Sequence, residues 1–288
     1  RKSADVSWIV DDTGVVKKGK HSVGVARQYC GSVGKQENCQ VAVTLTIANP
    51  VGSLPIAHQL YLPESWASDP ERRDEAKVPG EVEFLTKPQI ALRQIEQAYV
   101  TRLPRGPVLA DAGYGDDTKF RDGISALDLQ YCVGVKPGTT AWMPEVDPLP
   151  PPPYRGKGRP RIHGQRAPGH EPMSLKDIAS CLRSSAYNDV KWREGAKGTM
   201  KSRFAAVRVH PAHRDSDHPK TRPAEWLLIE WPKGDKEPAK YWFSTMPDTM
   251  NIKDLVRLAK LRWRIERDYQ ELKDEIGLDH YEGRGWRG

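Results

Sequence analysis

No stretch of this 288-residue chain approaches roughly eighteen consecutive apolar residues, so no helix in it is expected to span a bilayer. A charged-then-apolar leader with a small-residue cleavage site is also lacking, so no secretory signal is expected. Cysteine is sparse. Cys30, Cys39, Cys132 and Cys181 are scattered without a CxxC pair, which argues against a zinc ribbon and against a disulfide framework. Reduced, structural thiols in a cytoplasmic protein are the expectation. No internal repeat is present. The 38% of apolar residues suffices for a real core in one large domain or two small ones.

Charge is present in quantity and unevenly spread. Sixteen Lys or Arg against six Asp or Glu lie between Pro151 and Arg222, a balance of +10 that leaves −3 for the rest of a chain whose net charge is +7. A neutral-to-acidic body with one basic segment points to a polyanionic partner bound through that segment. The same segment opens with Leu149-Pro150-Pro151-Pro152-Pro153, which should be extended and stiff because proline fixes φ and lacks a donor.

The early chain reads as strands, with Gln40 to Ala48 and Leu54 to Leu62 as partners and Lys17 to Val33 as a Gly- and Lys-rich loop. Residues 63–86 are polar and irregular. A helix is expected over Lys87 to Val100, with Ile90, Ala91, Ile95 and Ala98 on one stripe. A helix near Asp117 to Leu127, a strand over Tyr131 to Val135, β-rich runs at 204–209, 225–231 and 241–244, and a long helix over Ile252 to Ile276 complete the pattern.

Two apolar runs end in acids followed by glycine. Ser7-Trp8-Ile9-Val10 leads into Asp11-Asp12-Thr13-Gly14, and Val108-Leu109-Ala110 into Asp111-Ala112-Gly113. Each reads as a strand delivering a carboxylate to a sheet edge. A third acid, Glu266, stands on the last helix. Helical geometry places Arg262, four residues before it, and Lys273, seven after, on its face. Neighbours in a strand point to opposite sides, so Asp11 and Asp12 cannot both face inward. Asp116 and Asp117 rival Asp111, but lie beyond the turn and suit capping of the next helix.

This set resembles the DDE transposases of bacterial insertion sequences, in the branch whose last acid sits in a Tyr-x-x-Arg-x-x-x-Glu-x-x-x-x-x-x-Lys signature. Arg262, Glu266 and Lys273 fall on its Arg, Glu and Lys, and Ala259 replaces its Tyr. The Asp-Asp-Thr-Gly start with Lys17-Lys18-Gly19-Lys20, and the ending Gly277-Leu278-Asp279-His280-Tyr281-Glu282-Gly283-Arg284, resemble one subgroup. The resemblance implies an RNase H-like α/β fold, a mixed sheet with helices. Residues 1–136 and 251–288 would form the core, and residues 137–250 a basic, Pro-rich, largely β insertion before the last catalytic helix.

It further implies cut-and-paste transposition, with cleavage and strand transfer at a two-metal site of Asp12, Asp111 and Glu266. Asp12 is taken because similar enzymes commonly place the acid before a Thr, with Asp11 as the alternative. Mg²⁺, or Mn²⁺ as substitute, suits such hard oxygen ligands. The implied partners are transposon-end and target DNA, and a second copy of the chain in a synaptic homodimer. The implied location is the bacterial cytoplasm, at the nucleoid.

Arg262 and Lys273 would contact phosphates, and Trp192 would stack on a base. Lys157-Gly158-Arg159-Pro160-Arg161 resembles an AT-hook core, placing Lys157, Arg159 and Arg161 in a minor groove. Because the chain starts at Arg1 and stops within a motif, a partial reading frame lacking an end-recognition region is expected. The competing readings are a hydrolysis-only nuclease of the same fold and an inactive DNA-binding remnant.

Overall fold

The computed structural model describes residues 6–143, 153–160, 171–195, 198–212, 222–277 and 283–286. The chain divides into two compact units. The first comprises the segments up to Leu109, Gly123–Leu129 and from Leu261 onward; the second comprises Ala110–Asp122 and Gln130–Lys260. The sequence had suggested boundaries near 136 and 250. Both units are mixed α/β, with strand pairing that is largely antiparallel.

The first unit is organised by the 14-residue strand β3 (Lys35–Ala48). Its inner residues Val41, Val43 and Leu45 are fully buried, as expected of a β-branched, near-alternating run. β1 (Ser7–Val16) pairs antiparallel with β3 from Ser7↔Ala48 to Val16↔Cys39. β2 (Ala26–Cys30) pairs with the beginning of β3, and β4 (Ser53–Leu60) with its end, across a bulge at Leu45/Thr46. On its other edge β1 runs parallel to β5 (Val108–Ala110), Trp8 opposite Val108 and Ile9 opposite Leu109. The polar segment 63–86 contains two short helices, α1 (Glu64–Ala67) and α2 (Pro70–Glu75), the latter capped by the Asp69 side chain.

The helix α3 (Lys87–Val100) spans the expected residues. Thr86 and Gln89 form a reciprocal capping box at its start, and Ile90, Ala91, Ile95 and Ala98 are buried. Gln94 is buried with them and donates to the carbonyl of Val43 at 3.0 Å. That bond offsets the cost of burying an amide and fixes the helix on β3.

In the second unit, α4 (Ala112–Gly115) and the start of α5 (Thr118–Ala126) precede β6 (Tyr131–Val135). Next come β7 (Thr140–Trp142), β8 (Met173–Ser174), α6 (Leu175–Cys181), β9 (Asn188–Gly195), β10 (Gly198–Pro211), β11 (Glu225–Glu230), β12 (Lys240–Ser244) and α7 (Ile252–Lys260). The order is β6-β12-β11-β10-β7-β8, with β9 also on β10. β12 pairs with β6 from Tyr241↔Val135 to Ser244↔Cys132. A strand assigned from sequence to the insertion therefore continues the sheet of a strand assigned to the core.

The expected helix over Ile252 to Ile276 is two helices. α7 ends at Lys260 and α8 (Trp263–Ile276) begins after a tight turn. Arg264 N–H donates to Leu261 O and Ile265 N–H to Arg262 O, each at 3.1 Å, so the path tightens by i→i+3 bonding rather than unwinding.

Buried charge is concentrated in the second unit. Arg222 forms a two-point pair with Asp122 at 2.6 and 3.2 Å. Glu225 accepts from the Tyr131 hydroxyl, with Arg121, Arg222 and Arg208 nearby, and burial still raises its carboxyl above the ordinary value. A raised folded pKa means that the protonated form favours folding. This contribution is complete below the unfolded value, and fades as pH climbs through the folded one. Glu225→Gln is thus expected to gain stability relative to the parent as pH rises above about 4.5. Denaturant midpoints of both proteins from pH 4 to 8 would check this, and a gap that does not widen with pH would contradict it.

Cys30, Cys39 and Cys132 are buried and Cys181 is exposed; all four are free thiols. Burial pushes Cys39 and Cys132 up to about 12, which leaves them protonated and unreactive at neutral pH.

Candidate active site

β1 presents its two acids to opposite faces of the first unit's sheet. Asp12 turns toward α3, where its Oδ2 accepts from Lys87 Nζ at 3.2 Å. Asp11 turns toward α8, and its Oδ2 accepts from Arg262 Nη2 at 2.8 Å. Its Oδ1 accepts the Asp12 N–H at 2.9 Å, which orients the carboxylate from its own backbone. Both carboxylates are mostly shielded, with side-chain exposures of 15% for Asp11 and 19% for Asp12.

The sequence reading took Asp12 as the inward acid. In the structure Asp11 is the acid on the face of the helix that carries Glu266.

Ile265 anchors α8, being fully buried. Tyr269 packs against β3, its hydroxyl hydrogen-bonded to Thr44 Oγ1. Thr44 is the cross-strand partner of Asp11, so the two side chains share a face. Burial, and then the charge of Asp11, push the Tyr269 hydroxyl far above its usual range, so it acts as a fixed dipole and not as an acid or base. Lys273 Nζ donates to the carbonyl of Gly14 at 3.4 Å. Arg262, Tyr269 and Lys273 thus hold one side of α8 to β1 and β3.

Glu266, in the first turn of α8, is exposed. Among the described residues its carboxylate has no hydrogen-bond or ion-pair partner. The intrahelical partner of Glu271 is Arg267 at 2.6 Å, not Lys273.

Asp111, in the second unit, is the N-cap of α4, with its Oδ1 accepting the Gly113 N–H at 2.8 Å. Tight packing holds it there. A Cβ on Gly134 would lie 2.9 Å from Ala112 N and 3.1 Å from the Asp111 carbonyl carbon, and one on Gly115 would strike the Gly134 carbonyl. The rival acids are otherwise engaged. Asp117 accepts the Phe120 N–H at 3.1 Å, the capping role expected of it, and Asp116 pairs with Lys136 at 3.4 Å.

Of the expected DNA-contacting residues, Lys157 and Arg159 are exposed, and Arg161 lies outside the described residues. Trp192 meets Phe204 edge-on at 5.7 Å, and the Lys260 ammonium sits 4.7 Å from its ring centroid. Lys260 is ion-paired to Glu230 at 2.6 Å. Trp192 is thus one wall of a lysine-centred aromatic cluster. Lys87 and Tyr269 were missed in the sequence. The only trace of Tyr269's role was its spacing of seven from Arg262, two helical turns along the same face.

The carboxylates offer hard oxygen donors of the kind magnesium prefers, and Glu266 is available to one. Among the described residues, however, no three His, Cys, Asp or Glu side chains are gathered into a cluster that would hold a metal ion. The strand acids are instead neutralised by Arg262 and Lys87.

Comparison with known proteins is consistent with these residues. Residues 1–199 match a family model described as DDE superfamily endonuclease. The chain belongs to this family. The match includes Asp11, Asp12 and Asp111 and stops before Glu266. A probable transposase for insertion sequence element IS701 from Microchaete diplosiphon is 30% identical over 136 residues, covering 47% of this chain and 33% of the relative. This DDE-family chain thus spans about a third of that relative's length. The NurA nuclease from Sulfolobus solfataricus aligns over 96% of the chain and 81% of its own, with a TM-score of 0.37 and 8% identity, too low to support an assignment.

Proposed function

We propose that this chain is the catalytic part of a transposase that cuts and rejoins DNA, with Asp11, Asp111 and Glu266 as its acids. The observation carrying this reading is that β1 turns Asp11, not Asp12, toward the helix bearing Glu266 and Arg262. Within the first unit, β1 and β5 pair in parallel, Ile9 opposite Leu109. The order β4-β3-β1-β5, antiparallel except for the β1–β5 pair, supports an RNase H-like core.

Mg²⁺ or Mn²⁺ held by these acids would lower the pKa of a water or 3′-OH nucleophile and stabilise charge on the leaving oxygen. The chain's own groups would do the rest. Arg262 balances the charge of Asp11 and aims it, and its planar guanidinium suits a phosphate oxygen when DNA arrives. Lys87 plays the same charge-balancing part for Asp12 on the other face. Tyr269 and Lys273 fix α8, and hence Glu266, on the sheet. DNA is the substrate, paired transposon ends are brought together by a homodimer, and the reaction takes place in the bacterial cytoplasm.

The test is cleavage and strand transfer on a plasmid carrying the element's ends, with and without Mg²⁺ or Mn²⁺. Metal-dependent nicking with joined products supports the reading. Nicking without joining would leave a hydrolytic endonuclease, and metal-independent activity would exclude these acids as metal ligands.

A further inference from the structure

The first unit carries a second charged feature, at the far end of β1 from its acids. A groove of about 530 Å³ is lined by Lys20, His21, Arg27, Arg72, Asn38 and Glu75, among others. Three permanent cations face one carboxylate there. Of the acids near the lining, Asp69 is occupied in capping α2 through the Arg72 N–H at 3.0 Å, and Glu37, beside Arg27, is held by Lys35 at 3.4 Å.

The cations come from three elements whose backbones are fastened together. The Arg72 guanidinium carbon lies 3.8 Å from the Trp66 ring centroid, and Nη2 donates to Lys20 O at 3.3 Å. Trp66 is itself buried, with its indole N–H on Val25 O at 2.7 Å. Asn38 donates to Lys17 O at 2.6 Å and to Gly19 O at 2.9 Å, which ties the lysine loop to β3. Arg27 lies directly across from Asn38 in the β2–β3 register.

A solvated surface would not need its cations held in this way. A stacked, tethered arginine loses little freedom on meeting an anion, and its fork matches phosphate.

We propose that this groove grips the phosphate backbone of duplex DNA flanking the cleaved position, an inference resting on the DNA-cutting function above. From Asp11 to Lys17, whose N–H bonds to the groove residue Asn38, the chain advances roughly 20 Å at about 3.4 Å per residue. That span matches roughly six base pairs of duplex, since each strand carries one phosphate per 3.4 Å or so. The contact is sequence-independent, because phosphates carry no base identity.

The test uses the full chain and a roughly 30-base-pair duplex, with affinity measured by fluorescence anisotropy across a salt series. Lys20→Ala/Arg27→Ala removes two exposed cations without touching the core, and circular dichroism verifies its fold. The expected result is weaker binding to every sequence tried, with the salt slope reduced by roughly two. Lys233→Ala/Lys236→Ala, an equal loss of charge from an exposed turn, should leave the slope near that of the parent.

Equal losses in both double variants would reduce the groove to a general charge effect and overturn the proposal. So would an unchanged slope in Lys20→Ala/Arg27→Ala while the parent binds and cuts, which leaves the DNA-cutting reading standing. A parent that binds no DNA would remove both readings. Intact DNA binding with lost affinity for a polyglutamate peptide would assign the groove to an acidic protein instead.

Discussion

Asp11→Asn is expected to lower metal-dependent DNA cleavage about a thousandfold, whereas Asp12→Asn should cost less than about tenfold. The asymmetry follows from the two faces of β1. Asp11 faces α8, where Arg262 holds it and Glu266 stands exposed, while Asp12 faces α3 and is held by Lys87. Losing a metal-holding carboxylate removes several kcal/mol of charge stabilisation. Losing the partner of a lysine that itself keeps about a quarter of its side chain in solvent forfeits about 1–2 kcal/mol. Single-turnover cleavage of pre-bound DNA separates the two variants, because it reads chemistry and not affinity. If Asp12→Asn is the dead variant and Asp11→Asn cuts normally, α3 and not α8 lies on the catalytic face.

The second large effect is expected at a residue with no chemistry of its own. Gly115→Ala should lower stability by about 1–3 kcal/mol and cleavage by roughly a hundredfold. The added methyl meets the Gly134 carbonyl and the Val133 side chain, so α4 cannot stay seated against β6. Asp111 caps that helix through Gly113 N–H and moves with it. Thermal melts and cleavage rates would be measured together, below the melting transition of the variant. A variant that melts lower but cuts at the parental rate would show that Asp111 does not depend on α4 for its position.

Much of the local structure was legible in the sequence. Lys87 to Val100 announces itself by a Thr-Lys-Pro-Gln start and a clear apolar stripe, and Tyr131 to Val135 by an unbroken buried run bounded by polar residues. What escaped depends on partners far along the chain. A strand carries no label for its neighbour, so the pairing of β12 with β6 across more than a hundred residues could not be read from either. The sequence could not decide between Asp11 and Asp12 for a related reason. Alternation says that two neighbours face apart, but not which face will receive α8.

The break between α7 and α8 hid within good helix formers. Ala259 to Ile265 contains no glycine or proline to mark it. Arg262 was expected to reach phosphate or Glu266, and its pairing with Asp11 joins residues 251 positions apart.

β1 is hydrogen-bonded along both edges, to β3 over ten paired positions and to β5 at its start. Amides on such a strand exchange with solvent only when the whole sheet opens, whereas a loop held by a few bonds to Asn38 and Arg72 opens locally and more often. Deuterium uptake should therefore be slowest around Ile9 to Asp11 and fast from Lys18 to Lys20. On the DNA-cutting reading, the carboxylate that must be placed to a fraction of an ångström rides on a strand laddered to β3 along its whole length. The lysines that need only find a phosphate ride on a loop held by side-chain bonds from Asn38 and Arg72 rather than by a ladder, which allows small adjustments that the strand does not.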